Sequence, residues 1–564
     1  MKTVLVLAPP PTPNGDLHVG HLSGPYLRAD VYTRFQKMLG RKAYLLSGID
    51  EHQSYVASKA RQIGLGPQET ADCYADDIEK TLAAAGVEVD LVARPSRISS
   101  HSDIVAKVFR TIQNEGGLIE REDLCPFCTK CDIYLFEAYI RGLCPQCNAP
   151  SGGNCCEACG RPNDCRDLRQ PACNQCGETP RVRSIKRLCF PLARFEKQLR
   201  KYHEDIIMSS HVRALCEQMM EEGLPEIAIT HPSTWGIAAP GCTDQRIYAW
   251  FEMAPGLLAA TEALASAKGV PGGWQGFWKN TDVEIVKFMG FDNSYFYSML
   301  FPAILQAFDP DIQLPRALLS NEFYRLQGEK FSTSRNHAIW GRELLKDNHP
   351  DLVRFYLAYS GPETEQSNFT MAEYQQTIKA EILNGWLDWL RELGTKISRD
   401  HSGAAPAAKS FTDKMHRFEF WLQQLVERVA ESYDASAFSL QQVSRLLIEL
   451  VHGARSFGHA EDHWRHVSAR RQTQETAVSL ELLAAKALAV LSAPIMPSFA
   501  ASLWRDLGQT DCLFASGWPQ GRLEPVQPGT RITDLSRNYF DDYECDQPLS
   551  RPFSASLQGQ GSLH

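Results

Sequence analysis

Two imidazoles, His18 and His21, stand three residues apart behind a run of prolines in PPPTPNGDLHVGHLSG, residues 9–24. The prolines stiffen the chain and Asn14-Gly15 turns it, so the histidines enter a helix behind a rigid elbow. At that spacing both rings lie on one face. They can donate hydrogen bonds to phosphoryl oxygens as charge develops, although a metal pair or a structural pair has the same spacing. A second segment, GEKFSTSRNHAIW from Gly328, sets Lys330, Ser332, Thr333 and Ser334 together. A lysine among hydroxyls suits a polyphosphate if the loop closes and opens again; a plain polar turn has the same composition.

Eleven of the 17 cysteines lie between Cys125 and Cys176. Four C-x-x-C pairs stand out: Cys125/Cys128, Cys144/Cys147, Cys156/Cys159 and Cys173/Cys176. Each such turn points two thiolates to one side, and two turns complete a tetrahedral zinc site, so one or two Zn2+ ions are expected. Spacing alone leaves the pairing open. Cys131, Cys155 and Cys165 are spare thiols or alternative ligands. A disulfide framework suits small secreted domains, not one patch of a chain this long.

These residues need a frame. TVLVLAP reads as a buried first strand rather than a secretory leader, because prolines stop it and no small-residue cleavage site follows. Beyond the elbow, Leu22, Tyr26, Ala29 and Tyr32 have helical spacing up to Gly40, and KAYLLSGIDEH is a second strand. Strand, helix, strand in this order indicates an α/β fold with a doubly wound parallel sheet of Rossmann type. Ligands of such sheets sit at the carboxyl ends of the strands, where the elbow lies. The helix amino terminus there favours phosphate, and Gly20 allows a flat group such as a nucleobase to approach closely.

The cysteine patch interrupts the sheet. RIYAWFEMAP and DVEIVKFMGFD read as strands, so the sheet is expected to resume near Gly241. After about Ala372 the pattern is almost wholly helical, with HSGAAPAAKS as a loop between helices. The expected organisation is a first catalytic half over 1–118, a zinc-knuckle insertion over 119–240 and a second catalytic half over 241–328. The lysine loop and its following segment take 329–372, a helical bundle 373–528, and a polar tail 529–564 is either a docked strap or disordered.

At 564 residues the chain exceeds one core. Its composition is that of a soluble globular protein, 43% hydrophobic and 22% charged. The net charge of −9 argues against a general nucleic-acid binder but allows a local basic groove. No apolar run is long enough for a membrane span.

HVGH and KFSTS resemble the two signature motifs of class I aminoacyl-tRNA synthetases. With GIDEH, YAWFE, FMGFD, the four knuckles and the carboxyl-terminal helices, the chain resembles methionyl-tRNA synthetases over roughly Met1 to Trp504. That resemblance implies ATP-dependent activation of an amino acid: its carboxylate attacks the α-phosphorus of MgATP, pyrophosphate leaves, and an aminoacyl-adenylate remains for transfer, in the family to tRNA. It implies that His18, His21, Lys330 and the Thr333 position serve catalysis, that Pro11, Asn14, Gly20 and Ser332 join them around ATP, and that Asp50 meets the α-ammonium. It implies a nested zinc pairing of Cys125/Cys128 with Cys173/Cys176 and of Cys144/Cys147 with Cys156/Cys159.

The departures are specific. Thr333 stands where the family's loop has a second lysine, and Gln53 stands where it has glycine. The amino-acid pocket matches at Trp250 and Asp292 but carries Pro10, Thr12, Leu257, Asn293, Tyr297 and Phe301 at the other positions. Buried Asn293 and Tyr297 need polar partners that a thioether supplies poorly, so an amino acid larger or more polar than methionine is expected. On the bundle, Asp388 and Glu392 replace residues that read the anticodon, and their charge should weaken RNA docking, while the stacking tryptophan is kept as Trp464.

Three functions follow. The first is a divergent paralog that activates a non-methionine amino acid and passes it to an amino acid or other acceptor, as relatives that build N–N bonds do. Those relatives often carry a fused zinc cupin, so a separate partner enzyme would be needed here. The second is a genuine methionine–tRNA ligase. The third is a non-catalytic sensor of an amino acid or tRNA, which intact His18, His21 and Lys330 speak against. ATP, Mg2+ and Zn2+ are the expected cofactors, and a cytoplasmic monomer the expected form.

Overall fold

The computed structural model describes residues 2–330, 338–519 and 521–540. Its central sheet has six strands: β1 (Thr3–Leu7), β2 (Lys42–Gly48), β3 (Leu91–Ala93), β4 (Ile207–Met208), β5 (Val283–Gly290) and β6 (Ala317–Asn321). They lie in the order β4-β6-β5-β1-β2-β3, every pair parallel. Residues Val4 to Leu7 are sealed from solvent, which explains why β1 is an unbroken apolar run: helices cover both faces. The chain leaves β1 toward β2 on one side and meets β5 on the other, and the elbow sits at that divergence.

The helix after the elbow is not uniform. Leu22–Tyr26 forms one π-helical stretch with Pro25 inside it, and α1 (Leu27–Met38) continues as regular helix. A second helix, α2 (Ser54–Ile63), starts immediately after the acidic end of β2.

Two expectations need correction. RIYAWFEMAP is not a strand of the parallel sheet. Its first residues end the strand Cys242–Ile247, which pairs antiparallel with Thr230–Pro232 and Ala238–Ala239 in a separate small sheet. From Ala249 the chain is helical, forming α3 (Ala249–Lys268), closed by left-handed Gly269. This helix is packed by the sheet on one side and by helices on others, so it lacks the polar face that marks a helix in sequence. After Ile207–Met208, the next strand of the parallel sheet begins at Val283. Nor is 119–240 one uninterrupted insertion, since Ile207–Met208 returns to the edge of the central sheet beside β6.

The inserted arm is a long antiparallel pair, Ile119–Cys128 with Arg181–Pro191, in register from Ile119↔Cys189 to Phe127↔Arg181. The cysteine turns lie between its two strands. After Met371 the described chain is helical, including α4 (Asp388–His401) and α5 (Leu440–Asp462). The start of the tail is a docked strap: Ala405 and Ile532 exchange backbone bonds with Thr530 and Gly403, and Leu535 and Phe540 are buried. The rest of the expected tail lies outside the described residues.

One buried cation ties bundle to sheet. Arg354 donates to the Asp30 carboxylate (2.7 Å), to the carbonyls of Pro494 (3.0 Å) and Ile495 (2.7 Å), and to those of Ala85 and Gly86. Burial pushes the Asp30 carboxyl up, but Arg354 and Arg34 outweigh it and hold it below the usual carboxylate range. Asp30→Ala leaves Arg354 charged and buried without its counter-ion, and should cost about 3–5 kcal/mol. Urea denaturation of the variant checks this, and a loss below 1 kcal/mol would refute the role given to the pair.

Candidate functional site

A cavity of about 880 Å³ lies at the carboxyl ends of β1 and β5. The elbow supplies Pro10, Pro11, Thr12, Asn14, His18, Gly20 and His21 to its wall. The two imidazoles stack, with centroids 3.6 Å apart and planes at 16°. Each caps the other's backbone: His18 Nδ1 accepts from the His21 N–H and His21 Nδ1 accepts from the His18 N–H, both at 3.3 Å. An imidazole whose Nδ1 accepts, when neutral, carries its proton on Nε2. Burial brings the His21 pKa down to about 4, so that ring is neutral near pH 7. The pair therefore offers two Nε2–H donors, oriented by the turn that holds them.

Across the cavity stand Asp50, Trp250, Asp292, Asn293 and Tyr297. Gly290 makes room for the second aspartate, because a Cβ there would come 2.4 Å from Asp292 Oδ1. Burial raises the Asp292 carboxyl to about 6, partly offset by backbone N–H groups, and lifts Asp50 well above the usual carboxylate range. Trp250 stacks flat on Phe296, centroids 3.5 Å apart. Two expected residues do not line this cavity. Phe301 packs edge-on behind Tyr297, centroids 4.9 Å apart, and Leu257 lines a separate recess of about 60 Å³ that shares Pro10, Asp50 and Met253 with the main wall.

The insertion adds residues that no motif signalled. Glu137 is buried, accepts from Ser54 Oγ (2.9 Å) and Asn154 Nδ2 (3.4 Å), and is also bonded by Tyr248. Burial lifts it to about 7. Its φ of 43° lies in the left-handed region that favours glycine. Cys155, expected as a spare thiol or an alternative ligand, is a buried thiol outside both groups of four cysteines: it donates to the Gly160 carbonyl at 3.3 Å and lines the cavity beside Asp292. The described wall carries Asp16, Asp50, Glu137, Glu157, Asp292 and Glu322 against Arg141, so it attracts cations.

Behind Asp50, one oxygen of buried Glu252 receives His52 Nδ1 (2.7 Å) and His101 Nε2 (2.8 Å). The three could surround a metal, yet contacts this short between donor atoms are those of hydrogen bonds, because ligands on one ion stand farther apart. Burial opposes the charged forms, but the pair outweighs it: Glu252 falls to about 2 and His52 rises.

The cysteines form two groups of four, Cys128/Cys131/Cys173/Cys176 and Cys144/Cys147/Cys156/Cys159. Within them Cys128–Cys176 is 3.5 Å, Cys131–Cys173 3.9 Å, Cys144–Cys159 3.9 Å and Cys147–Cys156 3.6 Å. Four thiolates around one zinc stand about 3.8 Å apart, from Zn–S bonds near 2.3 Å, so both groups fit the ion. The second group is the expected one. The first corrects the expected pairing, for Cys131 takes the place given to Cys125, whose thiol is buried 3.9 Å from Cys165 near Arg187. The chain contains C-x-x-C-x-x-C at 125–131, which allows either pair, and the strand Ile119–Cys128 carries Cys125 inward before the turn begins.

Lys330 closes a short strand with Glu329, while Ser332 and Thr333 lie outside the described residues. On the bundle, the expected opposing charges are spoken for. Glu392 accepts from Arg455 (2.6 Å) and pairs with His459 (2.7 Å), and Asp388 pairs with Arg391. Trp464 is 42% exposed, with the Arg470 guanidinium 4.5 Å over its ring. No described helix is long and apolar enough to cross a membrane.

Residues 4–392 match the family described as tRNA synthetases class I (M). Proteins named methionine–tRNA ligase are similar along most of the chain. The one from Thermomicrobium roseum is 29% identical over 517 residues, 91% of this chain and 88% of the relative. That from Flavobacterium psychrophilum is 30% identical over 549 residues, 93% and 78%. The fold is that of a Mycobacterium tuberculosis methionyl-tRNA synthetase solved with methionyl-adenylate: TM-score 0.76, 19% identity, covering 95% of this chain and all of the other.

Two outcomes follow from the geometry. Zinc content should fall by one ion in Cys131→Ser and remain complete in Cys125→Ser, as read by metal analysis of the purified proteins; equal loss in both would restore the nested pairing. Stabilisation by Glu252 is complete above its unfolded pKa of 4.5 and lost as pH falls toward 2; that of His52 is complete below 6.5 and lost as pH rises through its raised value. Thermal melts should therefore show the largest penalty for Glu252→Ala between pH 4.5 and 6.5, shrinking on either side.

Proposed function

Because the chain belongs to the class I (M) tRNA synthetase family, we propose that it is an ATP-dependent ligase that forms an aminoacyl-adenylate in the cavity at the ends of β1 and β5 and passes the aminoacyl group to tRNA. The observation that carries this reading is the meeting of two oriented imidazole donors with two buried carboxylates in one chamber. His18 and His21 donate Nε2–H to phosphoryl oxygens as negative charge grows on them, and because the rings are already fixed by each other's backbone, little reorganisation is needed. Asp50 holds the α-ammonium, which directs the carboxylate toward the α-phosphorus. Gly20, Pro11 and Asn14 border the nucleotide, and Lys330, Ser332 and Thr333 are the groups assigned to the pyrophosphate end. Mg2+ would neutralise the triphosphate within the acidic wall. Zn2+ on the two cysteine groups would act structurally, holding Asn154 and Cys155 against Glu137 and Asp292. The protein would act in the cytoplasm.

Transfer to tRNA is supported by the relatives' names and by the bundle, where Glu392 is already neutralised by Arg455 and Trp464 is exposed, so a base could stack on it by displacing Arg470 from its ring. Methionine is the amino acid those names point to. A second reading, a more polar amino acid and a different acceptor, is favoured by Asn293 and Tyr297 in the wall.

ATP–pyrophosphate exchange over a panel of amino acids tests both. His18→Ala and His21→Ala should each lower exchange by about 10²–10³-fold. Methionine as best substrate, with charging of tRNA, establishes the first reading; a polar amino acid as best substrate establishes the second. Exchange with none overturns activation itself.

A further inference from the structure

Lys287 lies in the middle of β5, 1% exposed, and among the described residues its amine has no hydrogen-bond partner. An ammonium buried without partners is among the least favourable placements in a fold, and a neutral amine left unbonded still costs free energy. Burial pushes this lysine well below its ordinary range. It lies over the face of Tyr297, whose ring centroid is 4.0 Å from Nζ. Tyr297 in turn forms part of the cavity wall next to Asp292 and Asn293. It also belongs to the π-helical stretch Phe296–Leu300, and such widened turns recur at functional sites. A single aromatic ring thus separates the substrate chamber from an unsatisfied amine.

We propose that Lys287 is a specificity residue for the amino-acid side chain, and that the side chain it takes carries a carbonyl oxygen, as a carboxylate or an amide does. The proposal rests on the second reading of the amino acid given above. When such a side chain turns Tyr297 aside, its oxygen accepts from Nζ and satisfies a donor the empty protein leaves unbonded. A carboxylate restores the ammonium as well, since an opposite charge at contact distance favours the protonated form. Asn293, adjacent in the wall, supplies a second donor to the same group through the amide N–H that does not bond Asp292. Methionine gains little here, because its sulfur is a weak acceptor. The main wall's carboxylates do not compete for this role: they line the chamber on the near side of Tyr297, where the α-ammonium is held.

Calorimetric titration of the zinc-replete protein with glutamate, glutamine, aspartate, asparagine, methionine, norleucine and lysine reads the preference without requiring adenylation. Tightest binding is expected from an amino acid with a side-chain carbonyl oxygen; the acid and amide members separate the two sources. In Lys287→Met, affinity for that amino acid should fall at least tenfold while ATP affinity and zinc content stay unchanged and the melting temperature holds or rises, since an unpaired buried amine has been removed. Tightest binding of methionine, norleucine or lysine overturns the proposal, as does a Lys287→Met protein that keeps its affinity. Should exchange fail with every amino acid while titration still shows the Lys287-dependent preference, activation falls and the specificity role stands.

Discussion

The buried pair of Arg354 and Asp30 holds the two large parts of the molecule in one arrangement. Asp30 lies on α1, the helix that emerges from the histidine elbow, and Arg354 reaches it from beyond the lysine loop while also bonding carbonyls of the bundle at Pro494 and Ile495. A guanidinium has five donors in a rigid plane, so one side chain can satisfy a carboxylate and several carbonyls at fixed angles. That geometry aligns the elbow helix with the helix Pro350–Ser360 and with the bundle. Loosening it would let the elbow helix and the bundle drift relative to each other, and positioning is most of what this chemistry requires of a protein.

Within that frame the site is built by mutual restraint. The two histidines are each other's caps: the His18 N–H donates to the His21 ring, so that ring cannot rotate without exposing it, and the His21 N–H donates to both the His18 ring and the His18 carbonyl. The opposite wall depends on the insertion: Glu137 binds Ser54 of α2, Asn154 of the second knuckle and Tyr248 at the start of α3. Three chain segments far apart in sequence converge on one carboxylate. The cysteine turns are therefore part of the chamber's construction, and their folding and that of the amino-acid wall are linked.

The chamber is acidic, though the nucleotide it is proposed to hold is an anion. The resolution lies in division of labour. The carboxylates Asp50, Asp292 and Glu137 cluster where an ammonium would enter, and the neutral imidazole donors stand where phosphate oxygens would lie. Buried carboxylates without cations bind protons more readily, as Asp292 does, and a bound ammonium would return them to the charged state.

Much of this was legible in the chain itself because it is local. The spacing of His18 and His21, the proline elbow, the apolar run of Thr3–Leu7 and the turns Cys144/Cys147 and Cys156/Cys159 each fix a geometry within a few residues, and all reappear in the structure. The α/β frame followed from the order of such pieces. What periodicity could not decide were matters of distant contact. A helix buried all round, Ala249–Lys268, has no polar stripe and passes for a strand. Cys125 and Cys131 are equally placed around Cys128 in sequence, and only the path of the strand into the knuckle chooses between them. Glu137 and Lys287 belong to no motif; their importance arises from what surrounds them after folding, three donors around one and an aromatic ring over the other. Local spacing determines which way neighbouring side chains point, whereas the burial and partners of a charge are set by segments hundreds of residues away, and these only tertiary packing brings together.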